Sequence, residues 1–240
     1  MGSLMVLEKM ALVGDALSHV ALPGLALGIL FGFNEFIGAF IFLFISAVLI
    51  WHVGRVTRLS FETIVGAAFT LALAIGIIML QNVEALSEAL FGDITQVGLI
   101  DTVIAVAVAV VAILLTRLIY KQLVLGMISE DIAISRGIKL GRIDLLYLLL
   151  VSVVVAVGIR IVGTLLAGFL VIVPAASAKN LSLSLKRYTL LSAFLGAISA
   201  FSGVLASGII NIPQAPAGPL VVIAGIIIFS ATIVAKWRMK

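Results

Sequence analysis

The chain has no cysteine in 240 residues, so neither a disulfide framework nor a thiolate metal site is available, and any metal must be held by oxygen and nitrogen. Charge is scarce, at 11% of residues, against about a quarter in soluble domains. Three chemical signatures are missing as well: there is no GxxxxGK[ST] phosphate loop, no HExxH and no GxSxG. The chain therefore reads as a non-enzyme with no intrinsic cofactor, and uphill work would draw on another chain or an ion gradient. The opening residues, MGSLMVLEKM, lack a charged segment followed by an apolar core and a cleavage site, so no signal peptide is expected. A net charge of +4 reflects loop orientation in such a chain and gives no reason to expect nucleic acid as a partner.

What is present is hydrophobic: 63% of residues, with a mean hydropathy of +1.36. The fold class that follows is all-α and polytopic, a single transmembrane domain over 1–240 in a lipid bilayer. Apolar runs long enough to cross a hydrocarbon core fall at about 11–31, 36–52, 62–80, 102–119, 144–159, 161–178, 188–209 and 218–235. Their connections sort by charge. Lys9, Arg55, Arg58, Arg117, Lys121, Arg136, Lys139, Arg142, Lys179, Lys186, Arg187, Lys236, Arg238 and Lys240 lie on one side, and Arg160 alone on the other. The positive-inside rule makes the first side cytoplasmic, and an even number of spans puts both termini there, in a multi-pass protein of the cell membrane. The opposite side carries residues 81–101 with Glu84, Glu88, Asp93 and Asp101 and no basic residue. That loop either attracts cations or docks a partner, or is a solvated connection. Residues 211–219, NIPQAPAGP, hold three prolines and read as a rigid non-helical loop.

The run at 11–31, ALVGDALSHVALPGLALGILF, is the one apolar stretch with both an acid and an imidazole inside it. Asp15 and His19 are four apart, so a helix stacks them about one turn from each other on one face. Ionisable groups within a bilayer usually face a protein interior and mark a path for ions or protons, and a carboxylate with an imidazole suits manganese or zinc. The other reading is structural: Asp15 in the first helical turns complements the helix N-terminus, and His19 is a buried histidine with a backbone partner. Pro23 lacks a backbone donor, and Gly24 with Gly28 lets a neighbouring helix approach closely.

Two spans look irregular. The pair at 144–159 and 161–178 has almost no loop between its members, and Pro174 in VIVPAASA suggests a short, broken or partly re-entrant helix. Arg160 between them reads as an interfacial side chain reaching toward the headgroups. Ser192, Gly196, Ser199, Gly203 and Ser207 form a small-residue packing seam. His52 beside Trp51 belongs to the interfacial aromatic belt, and Ser60 caps the third span with Glu62 in its first turn. The connection from 120 to 144 contains MISEDIAISRGI, enough helix formers for two turns stopped by Gly137. It would expose Glu130, Asp131 and Arg136 as a handle for a soluble subunit, or lie against the headgroups.

The run VLEKMALVGDALSHVALPGLALG, together with SFETIVG, ALFGDI, EDIAISRG, VGTLLAGFLVIVPAASA and the proline-containing loop before the last span, resembles the permease subunits of zinc- and manganese-type ABC importers. The match extends from about residue 5 to the end. The resemblance implies a homodimer carrying two copies of a cytoplasmic ATPase subunit and receiving zinc or manganese, as substrate, from an extracytoplasmic metal-binding protein. Asp15 and His19 fall on the acid and histidine of the family's GDALSH motif, along the metal pathway. Asp131, Ala133 and Gly137 stand at the spacing of the EAAxxxG coupling motif, with Asp in place of Glu and Ile132 in place of the first Ala. Family members carry a further apolar helix ahead of VLEKMALVGDALSH, and this chain starts where that helix would be ending. From the residues alone, a gradient-driven secondary transporter relaying protons through Asp15 and His19, and a non-transporting scaffold, stand beside the importer.

Overall fold

The computed structural model describes every residue except 9, 58, 81–88, 91, 93–96, 183, 211–216 and 239–240. Lys9, Arg58 and Lys240, the acidic Glu84, Glu88 and Asp93, and most of the 211–219 loop therefore lie outside the described residues. The helices run α1 (Gly2–Leu7), α2 (Ala11–Val20), α3 (Leu22–Phe31), α4 (Glu35–Val56), α5 (Phe61–Met79), α6 (Leu99–Ile128), α7 (Glu130–Ser135), α8 (Leu140–Leu181), α9 (Leu185–Ile210) and α10 (Ala217–Arg238). No strand occurs among the described residues, as expected where each span must satisfy its own backbone groups.

Local chemistry sets the ends. The Asn34 side chain accepts hydrogen bonds from the Phe36 and Ile37 amides at 3.0 and 3.2 Å at the start of α4, and Ser60 Oγ accepts from the Thr63 amide at the start of α5. The Asp101 carboxylate accepts from the Gly98 amide at the head of α6. Ser129 caps α7 through the Ile132 amide, and Gly137, at φ 75°, ends that turn. Between α2 and α3 the rod is interrupted at Ala21. Pro23 has no N–H to give the His19 carbonyl one turn back, which accounts for the break.

The helix α8 is too long for one crossing. Its 42 residues would extend about 63 Å at 1.5 Å per residue, roughly twice the hydrocarbon thickness. It folds back at Gly163, where φ is 76° and ψ 173°, a region open almost solely to glycine. A Cβ placed on Gly158 would sit 3.4 Å from the Ala167 Cβ, which only a reversal between them allows. Among the described residues, seven apolar helical stretches are long enough to cross a membrane, with α2 and α3 forming one of them. Since α8 crosses twice, the described residues make eight crossings. The turn expected between the 144–159 and 161–178 spans thus lies at Gly163, while Pro174, where a broken helix was expected, continues inside the second leg. Replacing Gly163 with alanine puts a Cβ into that strained region at a cost of about 1–3 kcal/mol. The expected result is a lower melting temperature in detergent for Gly163→Ala and none for Gly66→Ala, a helical glycine with nothing within 4 Å of its would-be Cβ.

The two ends of the bundle differ. At one end Trp51 Nε1 donates to the Gly141 carbonyl at 2.6 Å, joining the end of α4 to the start of α8, while Asn180 Nδ2 donates to Thr232 Oγ1 at 3.2 Å and Lys236 Nζ to Asn180 Oδ1 at 3.4 Å. At the other end Arg160 is held 2.5 Å from an Asp101 oxygen, with its guanidinium 5.2 Å from the Phe36 ring. The arginine expected to reach for the headgroups instead ties the α8 reversal to the heads of α6 and α4. The connection expected over 120–144 is also shorter, because α6 continues to Ile128 before α7 begins.

Burial is uneven. Val13, Leu17, Leu22, Leu43, Tyr147, Val151 and Val155 are enclosed in one core, so α2 is threaded through the bundle. The helix α6 buries only Ala112 and Leu123 and exposes Val103, Val106, Val110, Ile113 and Leu114, the pattern of a helix at the lipid-facing rim. On the seam of α9, Gly203 packs on the Val221 backbone and Gly196 faces Pro174.

Just before α2, burial and then the neighbouring Asp144 carboxylate push Glu8 up to about 7 from its ordinary 4.5. The folded chain holds a proton there that the unfolded chain releases, so the stability tied to Glu8 is present below about 4.5 and lost as pH rises toward 7. Glu8→Gln is expected to flatten the dependence of melting temperature on pH across that window.

Candidate metal passage

Asp15 and His19 lie one turn apart on α2, with His19 Nε2 3.9 Å from Asp15 Oδ1. The histidine ring meets Phe69 edge-on, with ring centroids 5.3 Å apart, and Phe69 is the ninth of the nineteen residues of α5. His19 is therefore set against the middle of a neighbouring span, while Asp15 is the fifth residue of α2, past its first turn. The other wall is the second leg of α8. A Cβ on Gly168 would collide with the Asp15 carboxylate and approach the Asp15 Cα at 2.9 Å and Ser18 Oγ at 3.1 Å, so only glycine lets that leg pass at this depth.

The pair is unequally enclosed. The His19 side chain is 14% exposed, whereas that of Asp15 is 40% exposed. His19 Nδ1 is buried with no hydrogen-bond partner. Ser18 Oγ donates to the Asp15 carbonyl at 2.6 Å and is thereby occupied. Thr164, the first residue after the reversal, is fully buried with its hydroxyl unpartnered, because the turn that would offer a carbonyl one turn back ends at Gly163. Ser152 and Ser177, within unbroken helix, both find that carbonyl.

A carboxylate oxygen and an imidazole nitrogen bind a divalent cation at about 2.0–2.2 Å each, which places the two donors roughly 3–4 Å apart. The observed spacing suits such a bridge. Among the described residues no third His, Cys, Asp or Glu joins them, so a cation here would keep other ligands such as water. Two protein donors alone would hold such an ion only weakly, as conduction requires.

The other residues singled out fall elsewhere. His52 stays exposed at the end of α4, its ring centroid 6.4 Å from that of Trp51. On α7 the side chains of Glu130, Asp131 and Arg136 are exposed, as is Gly137, while Ala133 is fully buried against the bundle. The structure thus brings Asp15 and His19 together and keeps α7 as a separate exposed handle. Gly168 and Thr164 lie within VGTLLAGFLVIVPAASA, which carries the resemblance, but neither was singled out for the site, and Phe69 carried no signal beyond its place in an apolar run.

Comparison with known proteins follows the same lines. The model of the ABC 3 transport family matches residues 1–236. The chain is 32% identical over 231 residues to the manganese import system permease protein ScaB of Streptococcus gordonii, covering 95% of this chain and 82% of that protein. It is 28% identical over 244 residues to the high-affinity zinc uptake system membrane protein ZnuB of Haemophilus influenzae, covering 100% of this chain and 92% of ZnuB. Among solved structures, PsaBC from Streptococcus pneumoniae in complex with Fab is similar with a TM-score of 0.81 and 30% identity, over 96% of this chain and 83% of that one.

Proposed function

The chain belongs to the ABC 3 transport family, and from that premise we propose that it is the membrane permease of an ATP-driven importer carrying manganese or zinc into the cell. One observation carries the reading: a carboxylate exposed to the extent of 40% inside a membrane span. Such a group cannot be left facing acyl chains, so the space beside Asp15 is lined by water and by protein, most simply a second copy of the chain. Two copies then enclose a passage in which Asp15 and His19 take the ion in transit. ATP is hydrolysed by a separate subunit, and a metal-binding protein on the far side delivers the ion. The names of the relatives, which describe manganese import and zinc uptake, support this choice of cargo.

The basic end of the bundle is read as cytoplasmic, with both termini on that side. The short α7 lies there, exposing two carboxylates while Ala133 anchors it, and it would seat in the ATPase subunit and pass on its closure. Reversing both charges, Glu130→Lys with Asp131→Lys, is expected to reduce co-purification of the ATPase subunit at least about fivefold while the permease stays folded, which a pull-down with a melting curve checks.

Reconstitution tests the function itself. Proteoliposomes containing the chain and its ATPase subunit are expected to accumulate manganese or zinc only with ATP. Accumulation by the chain alone under a pH gradient would instead establish a secondary transporter.

A further inference from the structure

At the basic end, a cleft of about 330 Å³ opens between the end of α4 and the connection from α7 to α8, at the low end of the roughly 300–1,000 Å³ usual for small-molecule sites. Arg55, Lys139 and Arg142 line one part of it, and Ile134, Ile138 and Leu140 the rest. We propose that this cleft binds the phosphate headgroup of an anionic phospholipid, with the apolar wall taking the first part of an acyl chain.

The cleft is organised before any ligand arrives. The Arg55 guanidinium lies 5.4 Å from the Trp51 ring centroid and directly over Gly141, where a side chain would displace it. Trp51 is itself fixed by its hydrogen bond to the Gly141 carbonyl. Among the described residues none of the three cations forms an ion pair. Asp144 is the carboxylate close enough to Arg55 to feel its charge, and Glu130 and Glu8 in turn neighbour Asp144. Arginine and lysine converging from separate helices at the end of a span, beside an interfacial tryptophan, match the chemistry of a membrane phosphate. A free anion would use the cations and gain nothing from the three apolar side chains. A lipid uses both.

Native mass spectrometry on the purified transporter, equilibrated with phosphatidylglycerol and phosphatidylcholine, tests the site independently of whether metal is carried. Wild type is expected to retain phosphatidylglycerol, and the triple variant Arg55→Gln, Lys139→Gln, Arg142→Gln to retain at least tenfold less. Lys186→Gln with Arg187→Gln, at the same end but away from the cleft, is expected to retain it. Gly141→Ala keeps every charge and moves only the flexible tip of Arg55, so it is expected to lose lipid while folding normally. A photoactivatable phosphatidylglycerol is expected to label residues 134–142 of the unaltered chain. Unchanged retention in the triple variant, equal loss in the Lys186 and Arg187 control, or labelling elsewhere would overturn the proposal. Displacement of the lipid by millimolar inorganic phosphate would show a free-anion site instead, and loss of the ATPase subunit with lipid retained would show a protein-docking surface; either contradicts it.

Discussion

Asp15→Ala and His19→Ala are each expected to lower ATP-dependent uptake of manganese or zinc at least about tenfold. Losing an outer-sphere partner of a metal ligand commonly costs about 10–100-fold in metal affinity or activity, and these two would touch the ion itself. For Asp15 the fold offers no competing explanation for such a loss, whereas His19→Ala also removes a mostly buried ring from against Phe69. Removing a carboxylate from a span makes insertion easier, and Asp15→Asn keeps the shape that fits against Gly168 while removing the charge. Melting temperatures at or above wild type for the Asp15 variants, together with lost uptake in all of them, are the expected combination, read by isotope uptake in proteoliposomes alongside thermal unfolding. Full uptake in both alanine variants would take the pair out of the mechanism.

The second large effect belongs to a residue with no functional group. A side chain at Gly168 meets the Asp15 carboxylate, the Asp15 Cα and Ser18 Oγ, and the Cα is backbone of α2 that cannot swing aside. Gly168→Leu must therefore push the second leg of α8 off α2, an overpacking cost of about 1–3 kcal/mol, and it displaces the carboxylate from its place one turn below His19. Uptake is expected to fall as far as in the Asp15 variants, with a lower melting temperature as well. Gly66→Leu, on α5, has nothing within 4 Å of its would-be Cβ and is expected to leave both quantities near wild type. The contrast separates tight approach at one site from a general intolerance of bulk.

The spans were legible because a bilayer imposes its thickness on the sequence: any segment that crosses must be apolar for about twenty residues, and eight such runs stand out. Asp15 and His19 were legible for the converse reason, as ionisable groups where they are costly. Other features rest on contacts remote in sequence and left no local trace. Arg160 reads as a lone interfacial cation until Asp101, from the head of another helix, is placed 2.5 Å away. The reversal of α8 was legible to within a few residues from Arg160 between two apolar runs, but its seat on the backbone angles of Gly163 left no trace in composition, and Pro174 makes no break. The tail of α6 reads in the sequence as a connection because Arg117 and Lys121 flank it, yet Leu123 to Ile128 continue the helix. Gly168 and Phe69 border the candidate passage only because α8 folds back and α5 lies alongside, which no periodicity announces.

The account rests on Asp15 and His19 binding the ion together, and pulsed electron paramagnetic resonance of Mn²⁺ in the assembled transporter tests this directly. Wild type is expected to show the nitrogen coupling of one directly bound imidazole, lost in His19→Ala and weakened in occupancy by Asp15→Asn. Bound manganese without nitrogen coupling, or coupling that persists in His19→Ala, would contradict it.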